Sequence, residues 1–141
     1  MAARRLLLPL AATAMSIDRR ILIADDDTEV RLGAAELLGA LGLEVLHAGS
    51  GTEALEIFRR DSIDLALLDV HMPGQDGLQV FHTLHVEAPE LPCILWSGDA
   101  SEAVAQFLLR SGAVAFLRKP VRPQFLRTEV QRILDTRWGS A

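Results

Sequence analysis

Three acidic residues stand together, Asp25-Asp26-Asp27, directly after the apolar run Ile21-Leu22-Ile23-Ala24. A fourth, Asp69, closes the run Leu65-Ala66-Leu67-Leu68; Ser97 follows Leu95-Trp96, and Lys119 follows Leu117-Arg118. Carboxylates gathered in one cleft repel each other, and desolvation sharpens the repulsion. A hard divalent cation relieves it, and oxygen-only ligands with room for water suit Mg²⁺, with Mn²⁺ as a substitute. An ammonium and a hydroxyl beside such a cation are the parts that stabilise a transferring phosphoryl group. One carboxylate then serves as nucleophile and forms an acyl phosphate. Asp69 is the candidate, because a mid-sheet position lets cation, hydroxyl and ammonium surround it. Each piece also has a plain structural reading: an acidic triplet caps a helix, and a strand-end aspartate or a Lys-Pro pair makes a turn. Five such residues, Asp25, Asp26, Asp69, Ser97 and Lys119, at the ends of four strands are harder to explain that way.

These residues need elements that bring them to one edge. From Ile21 the sequence alternates short apolar runs with amphipathic stretches. Strands are expected at 21–24, 43–48, 65–68, 91–96 and 113–118. Helical spacing marks Val30, Ala34, Leu37, Leu38 and Leu41, then Ala54, Leu55 and Phe58 with Ser50 or Thr52 as cap. Further helices are expected at about 78–85, around Val104, Phe107 and Leu108, and at about 122–137. Apolar strands separated by helices imply an α/β fold with a parallel sheet and helices on both faces. Its site lies at the carboxyl ends of the strands.

Composition agrees with one globular domain: 141 residues, half of them hydrophobic and 23% charged. Net charge is −5, with 17 acids against 7 bases up to Leu109 and 7 bases against 2 acids from Arg110. That balance argues against direct nucleic-acid binding and leaves the basic end as a solvated helix face or a protein-docking surface. The single cysteine, Cys93, excludes an internal disulfide and reads as a small buried hydrophobe in a reducing, cytoplasmic compartment. No stretch reaches the roughly 20 apolar residues of a membrane span. Residues 1–18 are read as an N-terminal extension, either a disordered leader or sequence upstream of a start at Met15; MAARRLLLPLAATA only weakly imitates a secretory signal. Residues 19–137 form the expected domain and 138–141 a tail.

Together, ILIADDD from Ile21, LLDVHMPGQDG from Leu67, WSGD from Trp96 and FLRKP from Phe116 closely resemble the receiver domain of two-component response regulators. The resemblance covers 21–137 and implies a flavodoxin-like five-stranded sheet of order 2-1-3-4-5. It implies that Asp69 is the phosphoacceptor. Asp26 and Asp69 would ligate Mg²⁺ through side chains, His71 through its backbone carbonyl, and Asp25 mainly through water. Lys119 would pair with the phosphoryl group, or with a site carboxylate before phosphorylation. Ser97 would bond a phosphoryl oxygen, and Phe116 would be the switch aromatic that turns inward behind it. His71 and Asp99 would tune phosphoryl lifetime, and the Lys119-Pro120 bond would be cis. Ser97 stands where threonine is commoner, and Phe116 lacks the hydroxyl of the frequent tyrosine. Trp96 is large for a strand end and reads as core.

The resemblance further implies a stand-alone signalling switch that catalyses only its own phosphorylation and dephosphorylation. Its phosphodonor would be a sensor histidine kinase or a histidine phosphotransfer protein. Output would pass to an unknown downstream protein through the fourth helix, fifth strand and fifth helix, where Arg118, Arg122 and Arg127 cluster. A monomer or a phosphorylation-dependent dimer is expected, with neither nucleic acid nor membrane as partner. Two rivals remain. A haloacid-dehalogenase-like phosphatase would place the nucleophile in Asp25-Asp26-Asp27 and leave the segment from Leu67 to Gly77 unexplained. A degenerate receiver would act only as an interaction module. His47, His71, His82 and His85 form no zinc-like ligand set with cysteine or carboxylate.

Overall fold

Period-two alternation in five short apolar runs sends neighbouring side chains to opposite faces of one sheet. The computed structural model describes residues 19–138; the expected extension and the end of the tail lie outside them. The elements are β1 (Arg20–Ala24), α1 (Thr28–Gly39), β2 (Glu44–Ala48), α2 (Gly51–Arg60), β3 (Leu65–Asp69), α3 (Gly77–Glu87), β4 (Cys93–Ser97), α4 (Glu102–Arg110), β5 (Ala115–Arg118) and α5 (Pro123–Trp138). All strand pairs are parallel, in the order β2-β1-β3-β4-β5. This is the flavodoxin-like arrangement that the resemblance implied.

Ile21, Ile23, Leu65, Leu67, Ile94 and Trp96 pack against Ala34 and Leu38 of α1 and Leu126, Val130 and Ile133 of α5. Leu22, Ala24, Ala66, Leu68, Cys93 and Leu95 face the other way, toward α2, α3 and α4 through Leu55, Phe81, Leu84 and Leu108. β1, β3 and β4 are therefore buried on both faces, which explains their uninterrupted apolar sequence. β2 is an edge strand, and its Glu44 and His47 are exposed.

Two strands begin two residues later than their apolar runs suggest, because the preceding turns use the backbone first. The Leu91 N–H donates to Ala88, so β4 starts at Cys93. The Ala113 N–H closes α4 onto Leu108 after Gly112, whose φ of 115° only glycine adopts readily, so β5 starts at Ala115. Ser50 is the cap of α2, its Oγ accepting from the Glu53 N–H. α5 starts with Pro123 in its first turn, where a missing N–H costs nothing, and reaches Trp138, one residue into the expected tail. Among the described residues, no helix is long and apolar enough to cross a membrane.

Candidate functional site

The acidic triplet divides its labour. Asp27 caps α1, its Oδ1 accepting from the N–H groups of Glu29 and Val30 at 3.0 and 3.2 Å. Asp25 continues from β1, with its N–H bonded to Ala48, and its side chain is completely buried. Asp25 Oδ1 accepts from the Asp27 N–H at 2.9 Å, and Oδ2 takes the Lys119 ammonium at 2.9 Å. Arg31 Nη1 donates to the Asp25 carbonyl at 2.6 Å and pins the corner from α1. Asp26, between them, is exposed.

Asp69 ends β3, opposite Trp96 in register, and is 5% exposed. Lys119 Nζ lies 3.4 Å from its Oδ1, which also accepts the His71 N–H at 3.4 Å. Burial and the neighbouring Asp25 charge push the Asp69 carboxyl up to about 6, against the pull of Lys119 and the His71 N–H. Lys119 moves up as well: burial alone would lower it, but the hydrogen bond to Asp25 and the charges of Asp69 and Asp25 outweigh that. The Lys119 N–H is held by the Ser97 carbonyl, its ammonium lies 5.3 Å from the centre of the Trp96 ring, and its bond to Pro120 is cis.

Carboxylate oxygens of Asp25, Asp26 and Asp69 lie within 4.8 Å of one another. Both Asp25 oxygens already have protein partners, as does Asp69 Oδ1, and the exposed Asp26 opens the group to solvent. Oxygen donors, net negative charge and an open side fit a hard divalent cation.

Ser97 ends β4 and is buried. Its Oγ donates to Asp99 Oδ1 at 3.3 Å and accepts the Asp99 N–H at the same distance. Asp99 Oδ1 also lies 3.0 Å from His71 Nε2, and both side chains are largely exposed. Phe116, on β5, is partly buried against the cluster beneath α4. The structure thus brings Asp25, Asp26, Asp69 and Lys119 into one cleft, with Ser97, Asp99 and His71 joined along its rim.

Three contributors were not visible in the sequence. A Cβ on Gly77 would fall 1.9 Å from the Asp69 carbonyl oxygen, so only glycine lets α3 start against the end of β3. A Cβ on Gly51 would fall 1.8 Å from the Gln75 carbonyl oxygen, which seats the intervening loop on α2. Turn glycines look alike in a sequence, and only a fold separates these two from the rest. Arg118 is the third: in the sequence it is one charge of a basic surface, but it bonds Ala100 and Glu102.

The other reactive side chains lie apart. Burial pushes the Cys93 thiol up to about 12, the value of an inert core group. His85 packs against Phe81 and Gly112. Trp96 is core, as its size suggested.

Comparison with known proteins gives the same answer from three directions. Residues 21–131 match the family described as the response regulator receiver domain. Among curated proteins, the chain is 34% identical over 126 residues to the sensor kinase CckA of Brucella abortus, covering 88% of this chain and 13% of that protein. It is 34% identical over 117 residues to the two-component response regulator ARR14 of Arabidopsis thaliana, covering 82% and 31% respectively. The chain thus spans less than a third of either relative. Among solved structures, a CheY-like receiver domain protein from Methanospirillum hungatei superposes with a TM-score of 0.81 at 32% identity, covering 86% of this chain and 97% of that one.

Proposed function

The chain belongs to the response regulator receiver domain family of two-component signalling, and from that premise we propose that it is a phosphoacceptor switch whose acceptor is Asp69. The observation that carries this reading is Asp69 itself, a buried carboxylate at the end of the central strand, with Lys119 on one side and the two other carboxylates on another.

In the proposed step an Asp69 oxygen attacks the phosphorus of a phosphohistidine. The P–O bond forms as the P–N bond breaks, and the imidazole of the donor leaves with the electron pair. Asp25, Asp26 and Asp69, with the His71 carbonyl, would hold Mg²⁺ or Mn²⁺, which supplies positive charge for the phosphoryl oxygens. Lys119 is positioned to exchange its carboxylate contacts for a phosphoryl oxygen. The Ser97 hydroxyl can do the same by leaving Asp99. Hydrolysis by water returns the free carboxylate, at a rate that His71 and Asp99 tune in this reading. The chain turns over no separate substrate in this reading.

The same premise names the partners. A sensor histidine kinase or a histidine phosphotransfer protein supplies the phosphoryl group, and a downstream protein reads the surface of α4, β5 and α5. Phosphorylation acts by shifting a pre-existing equilibrium, and dimerisation on phosphorylation is one form that shift can take.

Incubation with acetyl phosphate and Mg²⁺, followed by intact mass, tests the proposal. One added phosphoryl group, absent from Asp69→Asn and from an EDTA-treated sample, is expected. No adduct, together with no binding of beryllofluoride, would reduce the chain to an interaction module. Turnover of small phosphate esters would instead favour the phosphatase reading.

A further inference from the structure

Arg118 takes no part in the cleft, yet its guanidinium makes three contacts at once. Nη1 donates to the Ala100 carbonyl, Nη2 lies 3.0 Å from Glu102 Oε1, and Cζ sits 5.3 Å above the Phe116 ring. Ala100 belongs to the loop between β4 and α4, and Glu102 opens α4. That loop begins after Ser97, the register partner of Arg118 across β4 and β5. The loop is therefore tied twice. Near Ser97 it is tied by the Asp99 carboxylate, and at its far end by Arg118. Within the first tie, Gly98 has nothing within 4 Å of where a Cβ would stand, so the loop has space to move once released.

We infer that Arg118 is a positioning residue, a clasp that keeps the 98–101 loop where the Ser97 hydroxyl serves Asp99 and is withheld from Asp69. The inference rests on the reading of Asp69 as phosphoacceptor. For Ser97 to reach a phosphoryl group it must leave Asp99, and the loop that carries both residues must shift. Arg118 opposes that shift at the Ala100 end and couples it to the Phe116 ring. A planar fork can donate in two directions while stacking on a ring, which a lysine ammonium cannot. Glu102 is ready to hold it: hydrogen bonds from Gln106 first, and then Arg118, keep its carboxyl below the usual range. The contacts are exposed and individually weak, as a clasp that must open requires.

The test compares the full chain with Arg118→Ala and Glu102→Gln, with Mg²⁺ present. Beryllofluoride, a phosphoryl analogue, is titrated by calorimetry, and amide hydrogen exchange of the 98–101 loop is followed in the ligand-free proteins. Arg118→Ala is expected to bind beryllofluoride about threefold to thirtyfold more tightly, the range of an exposed ion pair plus a cation–π contact. Glu102→Gln should gain less in the same direction, and both should exchange faster in the loop. The two variants change net charge in opposite senses, so a shared gain cannot be a field effect. Unchanged or weaker binding by Arg118→Ala overturns the clasp, even if the loop exchanges faster. An unmodified chain that binds no beryllofluoride overturns the reading of Asp69 instead, and the link to Ser97 with it.

Discussion

The corner made by β1 and β3 and the loop between β4 and α4 face each other across the cleft, but they are built on different terms. In the corner, Asp25 is fully buried with both oxygens bonded, Lys119 bridges two carboxylates, and Gly77 presses α3 against the Asp69 carbonyl. Around that loop, Asp99 with its partner His71, and Glu102 with its partner Arg118, are 48–79% exposed, and each pair meets at 3.0 Å. Buried charge networks tolerate little rearrangement, because any partner lost leaves an unpaired group in low dielectric. Exposed pairs exchange partners at little cost. The first region is suited to hold chemistry still, and the second to move when that chemistry has occurred.

The contrast is most easily broken with glycines. Gly77→Ala places a methyl group inside van der Waals contact of backbone, which cannot yield as a side chain can. It should cost about 3 kcal/mol or more in urea denaturation. Gly98→Ala, with open space around it, should cost about 1 kcal/mol or less. Similar costs at the two sites would erase the distinction between a built corner and a movable loop.

A second prediction concerns the charge stored in the corner. An Asp69 carboxyl raised from 3.8 to about 6 means that the folded chain binds more proton than the unfolded chain between those values. Stability therefore falls as pH rises through that window. In metal-free buffer at pH 7, Asp69→Asn should be more stable than the unmodified chain by on the order of 1–2 kcal/mol, a gain that disappears near pH 4. Acidification through pH 6 should also weaken divalent-cation binding, as protons compete for Asp69. An Asp69→Asn variant no more stable at pH 7 than at pH 4, relative to the unmodified chain, would show that the carboxylate is not held against its preference.

The smallest effect is expected on the rim. His71→Ala removes one exposed contact to Asp99 and should change stability by less than about 0.5 kcal/mol, while altering the decay of the phosphorylated form in a mass-spectrometric time course. A large loss of stability with unchanged decay would move His71 from the rim to the scaffold.

Much of this is legible in the sequence. The uninterrupted apolar runs Ile21-Leu22-Ile23-Ala24 and Leu65-Ala66-Leu67-Leu68 marked strands buried on both faces, and polar residues closing those runs marked the edge. What escaped depended on contacts between distant segments. Asp27 is identical in type to Asp25 and Asp26, and only the start of α1 assigns it to capping. Leu91 and Ala113 are as apolar as the strands they precede, but their N–H groups are consumed by turns. Arg118 meets Ala100 and Glu102 across 18 and 16 residues of sequence, so nothing local distinguishes it from Arg122 or Arg127.

The most direct test of the central claim is to locate the acyl phosphate. Borohydride reduces an aspartyl phosphate to homoserine, and peptide mapping after treatment with acetyl phosphate and Mg²⁺ reads its position. Homoserine at Asp69 alone is the predicted result. Homoserine at Asp25 or Asp26 would contradict the assignment and move the nucleophile to β1, as a phosphatase would have it.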